Sequence, residues 1–207
     1  MLSVTTAAAD RSLLTLAELR AAAGVPDNSR DAELTTLGAR VAAAITGACQ
    51  VARGGAVPPT LRLETLTETL QNDRHRTEIV LSRRPVVSVT SVTEIDAALT
   101  SADYEIEAGA GLLRRLAAGR PWCWPCRKVV IVYQAGWQTV PDDLKLAAAK
   151  FVQAEWQQGS RDPLLRRVKV EGISEREYWV DPTKDSVIPA EVMDILERGG
   201  YVNYWVS

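Results

Sequence analysis

The chain has 207 residues, of which 46% are apolar and 24% charged, with a formal net charge of −2. These ordinary globular values exclude a charge-rich disordered chain, and they give no global reason for tight binding to DNA or to an anionic membrane. No apolar run approaches the roughly 20 residues that cross a bilayer, and three cysteines, an odd number, argue against a disulfide framework.

The first residues, MLSVTTAAADRS, lack the basic-then-apolar order of a secretory signal, which points to folding in a cytosol. Residues 1–12 are small and polar and are expected to be loose or tied to a partner. Thr15 and Glu18 have the spacing of a capping box, so a short helix should follow and end at Gly24, ahead of Pro26. Asp27-Asn28-Ser29 supplies the next cap. A longer helix should run to about Ala52, with Leu34, Leu37, Val41, Ile45 and Ala48 on one face. Gly54-Gly55 and Pro58-Pro59 end it.

The period then changes. Leu61, Leu63, Thr65 and Thr67 alternate as in a half-exposed strand. Thr77–Ser82 and Val86–Ile95 read as two more strands. Residues 104–107 and 112–115 read as a hairpin around Gly109-Ala110-Gly111. Val129 to Tyr133 is a β-branched and aromatic run that should be a buried strand. It breaks at Gly136, and Pro141, Asp142 and Asp143 open a helix striped with Leu144, Ala147, Ala148, Phe151 and Val152. Residues 157–187 lose regular pattern and read as an extended arm or a long hairpin. Pro189 opens a last short helix, which stops at Gly199-Gly200 before an aromatic end, YVNYWVS.

Chemical motifs are few. Trp122-Cys123-Trp124-Pro125-Cys126 resembles the redox motif of thioredoxin-like proteins. That chemistry needs a helix N-terminus behind the first thiol, and here a strand follows. Zinc needs four ligands, and the remaining candidates, Cys49 and the lone His75, are scattered. One histidine and no nucleophile elbow leave a serine triad without support. Asp10, Asp142 and Asp143 read as caps. No catalytic, cofactor-binding or metal-binding residue is assigned, and no cofactor is expected. Tyr178, Trp179, Tyr201, Tyr204 and Trp205 are candidate partner-binding residues, because aromatic rings dominate interface energetics.

The order of elements carries more than any motif. LSRRPVVSV from Leu81 to Val89, the Asp103-Tyr104 hairpin, VIVYQAGW from Val130 to Trp137 and VPDDLK from Val140 to Lys145 follow two N-terminal helices. This succession resembles the head–tail connector (adaptor, or head completion) proteins of long-tailed bacteriophages and phage-like gene transfer agents, over Leu13 to Trp156 and the helix after Pro189. The resemblance implies an α+β, mainly α fold: a helical bundle with an inserted small antiparallel β-sheet at about 61–135 and an extended C-terminal arm. The core would be 1–156, and 157–207 would be arm, short helix and partner-binding tail. It further implies a structural ring subunit of twelve copies in the virion, assembled in the host cytoplasm. Such a subunit sits beneath the portal protein, extends the DNA channel without sequence-specific binding, carries the stopper and tail proteins, and meets no membrane. The alternative from the residues alone is a small thiol-disulfide oxidoreductase using Cys123 and Cys126.

Overall fold

The run from Val129 to Tyr133 becomes the central strand of a five-stranded antiparallel sheet. The computed structural model describes residues 1–72, 75–125, 127–159, 167–170, 174–177 and 188–204. They divide into two compact units: Met1–Ser12 with Thr46–Pro141 and Val202–Ser207, and Leu13–Ile45 with Asp142–Tyr201.

The first unit holds β1 (Leu2–Thr6), β2 (Glu64–Gln71), β3 (Glu78–Val80), β4 (Val86–Glu94), β5 (Ala97–Ala98), β6 (Tyr104–Glu107), β7 (Leu112–Ala117), β8 (Arg120–Trp122) and β9 (Lys128–Ala135). The larger sheet runs β1-β2-β9-β4-β5, and the smaller one runs β3-β7-β6 with β8 also paired to β7. On β9 every second side chain is buried: Val129, Ile131, Tyr133 and Ala135. They meet Leu66, Ile79, Leu81, Val86, Val92, Leu113 and Trp124 in one core. The register of β4 against β9 shifts at Val86/Ser88 and again at Val89/Ser91. Such bulges bend a strand and twist its open edge away from stray pairing.

Gly136 ends β9 with φ +104°, and a Cβ there would lie 2.5 Å from the Arg62 carbonyl oxygen. Only glycine fits that close approach of two backbones. It is held by Gly136 N–H to Pro85 O (2.9 Å) and Trp137 N–H to Leu61 O (2.9 Å).

The second unit holds α1 (Leu16–Ala23), most of α2 (Asp31–Ala48), α3 (Asp142–Gly159), the paired strands β10 (Arg167–Val170) and β11 (Ser174–Glu177), and α4 (Ala190–Arg198). The expected capping box is present: Glu18 N–H donates to Thr15 Oγ1 (3.3 Å), and Thr15 N–H donates to Glu18 Oε2 (2.7 Å). Leu19 of α1 sits against Gly38 of α2, where a Cβ would lie 3.0 Å from its δ carbons. Glycine there lets the two helices approach. Leu144, Ala147, Ala148, Phe151 and Val152 of α3 are buried, as are Val192 and Leu196 of α4, which packs on α3.

The expectation of a mainly α bundle with a small inserted sheet is overturned. Strands take as large a share of the described chain as helices, in two antiparallel sheets plus the β10–β11 pair. Residues 1–12 are not loose, because Leu2–Thr6 forms the edge strand on β2. Local periodicity could not show that pairing, which is made 64 residues away, as in Ser3 Oγ to Thr67 O (3.2 Å). The phase of β2 is also one residue off the expectation. Glu64, Leu66 and Glu68 face the core, while Thr65 and Thr67 lie on the opposite, part-exposed face. A one-residue slip swaps the two faces of a strand.

Candidate functional site

Two buried glutamates are the most conspicuous polar groups of the first unit. Glu64 is 1% exposed and Glu68 is 2% exposed. Glu64 accepts from Arg83 Nη1 at 3.2 Å and from Ala8 N–H at 3.3 Å, with Arg11 at 3.6 Å. Arg83 also donates to the carbonyls of Ala52 (2.6 Å) and Thr60 (3.0 Å). Glu68 accepts from Ser82 N–H (3.1 Å), Ser82 Oγ (2.6 Å) and Tyr133 OH (2.8 Å). Burial and the neighbouring Glu68 charge push the Tyr133 phenol up. A buried charge is tolerated when paired and hydrogen-bonded, and removing one partner is costly. The arrangement therefore pins loops and the N-terminal segment to β2. Each carboxylate oxygen of the two already accepts a hydrogen bond from these partners. Composition hides these glutamates; the signal that finds them is their two-residue spacing around Leu66.

The cysteine motif lies in the loop between β8 and β9. Trp124 is wholly buried and its indole N–H donates to Leu113 O at 3.2 Å. Cys123 is exposed, and the next element is β9, with no helix N-terminus to activate a thiol. Cys126 lies outside the described residues. Among the described residues no cluster of three His, Cys, Asp or Glu side chains could hold a metal ion, and no helix is long and apolar enough to cross a membrane.

Of the candidate partner residues, Tyr178, Trp179 and Trp205 lie outside the described residues. Tyr201 and Tyr204 follow α4, which ends in paired bonds from Gly200 N–H to Glu197 O (3.0 Å) and Tyr201 N–H to Leu196 O (3.0 Å), with Gly200 at φ +68°. This is a Schellman stop. Tyr201 is half-buried and its hydroxyl donates to Asp143. Val202 and Asn203 are buried: Val202 O accepts from Arg84 Nη2 (3.1 Å), and Asn203 N–H donates to Cys49 O (3.0 Å). Tyr204 is 65% exposed. The structure thus leaves Tyr204 as the outward ring and uses Tyr201 as a strut. In the second unit Arg30 stacks on Trp156 at 4.4 Å, beside a cavity of about 580 Å³ that Leu37, Arg40 and Glu155 also line.

The chain matches the model of the head completion protein family over residues 12–159. It belongs to that family. No curated protein matches its sequence. Among solved structures it is similar to a chain in the virion of a native gene transfer agent particle, with 21% identity, a TM-score of 0.57 and coverage of 96% of this chain and 94% of that one. It is also similar to a chain in the neck of an empty gene transfer agent particle computed with C6 symmetry (22% identity, TM-score 0.55, coverage 80% and 88%). A third likeness is to a chain in the neck of a native particle computed with C12 symmetry (22% identity, TM-score 0.53, coverage 80% and 87%). These likenesses are of fold. As a head completion protein, the chain has a structural, head–tail connecting role.

Proposed function

We propose that this head completion protein is a ring-forming subunit of the virion neck. It lies beneath the portal, lengthens the DNA channel and offers a platform to stopper and tail proteins, with no catalysis of its own. The observation that carries this is the family match over residues 12–159. The fold likeness to chains in particle necks computed with C6 and C12 symmetry supports it, and so does a polar interior spent on fastening strands. A ring subunit needs two unlike faces that close by rotation. Portal contact is assigned to the C-terminal segment, with Tyr204 as its described outward ring.

The test is co-sedimentation with portal rings or with DNA-filled tailless capsids from the same genome neighbourhood, followed by electron microscopy. A rotationally symmetric collar below the portal supports the reading and gives the copy number. A folded protein that fails to bind at micromolar concentration would sink it.

A further inference from the structure

One strand pair belongs to neither larger sheet. β10 and β11 run antiparallel, with Arg167 opposite Glu177, Val168 opposite Arg176, Lys169 opposite Glu175 and Val170 opposite Ser174. Among the described residues no third strand joins them. Each strand therefore keeps one unpaired edge, a row of N–H and C=O groups open to another strand. A ribbon of two strands is at best marginally stable in water, and a third strand or a packing partner is what makes such a ribbon hold.

The two edges are chemically unlike. β10 reads RVKV, with two cations and no acid, and β11 reads SERE, with two glutamates against one arginine. Side chains alternate along a strand and paired positions share a face, so the register puts Arg167, Lys169, Glu175 and Glu177 on one face of the ribbon. That pattern decides which edges can meet when two copies approach. β10 beside another β10 sets cations against cations, and β11 beside another β11 sets glutamates against glutamates. Like charges in facing positions destabilise a strand pair, and opposite charges stabilise it. β10 beside β11 of another copy puts base next to acid.

We infer that β10 of one copy pairs edge to edge with β11 of a second copy, so that the ribbons of a ring join into one continuous antiparallel sheet. The inference rests on the ring reading proposed above and names the contact between its subunits. A ring needs unlike left and right surfaces on each subunit, and the ribbon supplies one on either edge. The direction also works. In copies related by rotation, β10 runs one way and β11 the other, so each new neighbour is antiparallel, as within the ribbon. Closure of the ring leaves no edge open, as in a barrel.

The test is a cross-link between copies in collars assembled on portal rings. Two full-length chains are made, Val170→Cys and Ser174→Cys, which leave every charge of the ribbon in place. Both carry Cys123→Ser and Cys126→Ser, and the buried Cys49 stays. The chains are mixed, assembled and treated with a short bismaleimide. A dimer-sized product joining position 170 of one chain to position 174 of the other is expected in the mixture, and its loss is expected when either chain is used alone. The second pair, Val168→Cys with Arg176→Cys, repeats the measurement one register position pair further from the turn. Collars that are visible by electron microscopy but give no such product with either pair overturn this inference and leave the ring reading standing. Val170→Cys chains that cross-link to one another as strongly as to Ser174→Cys chains overturn it too, because they would place β10 beside β10. Wild-type protein that forms no collar overturns both ideas.

Discussion

Tyr133 donates its hydroxyl proton to Glu68 across 2.8 Å, from the strand next to the one that carries the carboxylate. The register sets Tyr133 opposite Leu66 and Ile131 opposite Glu68, so the bond is diagonal, within reach of a long side chain. Tyr133→Phe leaves Glu68 buried with only Ser82 as donor. The expected loss is about 1.5–3 kcal/mol, the usual contribution of a hydrogen bond to a charged group, read as a lower urea midpoint. Because the folded phenol titrates above its ordinary value, its contribution is complete below about pH 10 and is lost as pH rises beyond that. Melting curves from neutral to strongly alkaline pH should fall less steeply in Tyr133→Phe than in the wild type.

Glu18 titrates in the opposite sense. Its hydrogen bond from Lys145 Nζ (2.9 Å), helped by the Thr15 N–H, holds the carboxyl down to about 2. A depressed carboxyl contributes stability that is complete above its ordinary value of 4.5 and is lost as pH falls toward 2. Both partners are partly exposed, so screening keeps the effect small. Glu18→Gln should flatten the acid limb of the stability curve between those values. Thr15→Ala, which removes the cap, should cost about 0.5–2 kcal/mol at neutral pH. Equal acid limbs in Glu18→Gln and the wild type would refute the pairing.

Gly136→Ala puts a methyl group 2.5 Å from the Arg62 carbonyl oxygen and 2.8 Å from its carbon, at φ +104°. The conformation alone should cost roughly 1–3 kcal/mol, and the backbone contact adds to it. The melting temperature should drop clearly. Gly55, at φ +81° with open space around its absent Cβ, is the control: Gly55→Ala should cost less.

The C-terminal segment separates stability from binding. Truncation after Tyr201 removes the N–H that Asn203 gives to Cys49 and the carbonyl that Val202 offers to Arg84. It should destabilise by at least about 1 kcal/mol. Tyr204→Ala removes a ring that is 65% exposed and should destabilise less than the truncation while weakening portal co-sedimentation. Full portal binding by Tyr204→Ala would move the contact elsewhere.

Local signals were readable where they were self-contained. Thr15 and Glu18 bond to each other three residues apart, Gly24 stops its helix in the left-handed region, and the β6–β7 hairpin turns at Gly111 with φ +68°. Misreading began where partners are distant. Glu64 and Glu68 look solvent-facing until Ser82 and Tyr133, 14 and 65 residues along, arrive beside Glu68. The apolar alternation of β1 is only Leu2 and Val4, too short a signal to stand alone, so its pairing with β2 reveals it as a strand. Counting helical stripes near both ends therefore overweighted helix. The aromatic end is divided by contacts that composition cannot express: Tyr201 is held by Asp143, and Tyr204 is left outward.

Cys49 has a use that its burial creates. The side chain is wholly enclosed and the thiol is pushed up to about 12 by that enclosure. Only the thiolate attacks an alkylating reagent, so Cys49 is silent while the first unit is shut and answers when it opens. Its carbonyl is clasped by Asn203, so release of that clasp is among the motions that would expose it. The rate of Cys49 alkylation, followed by mass spectrometry of its own peptide, is a built-in clock for local opening, needing no introduced label.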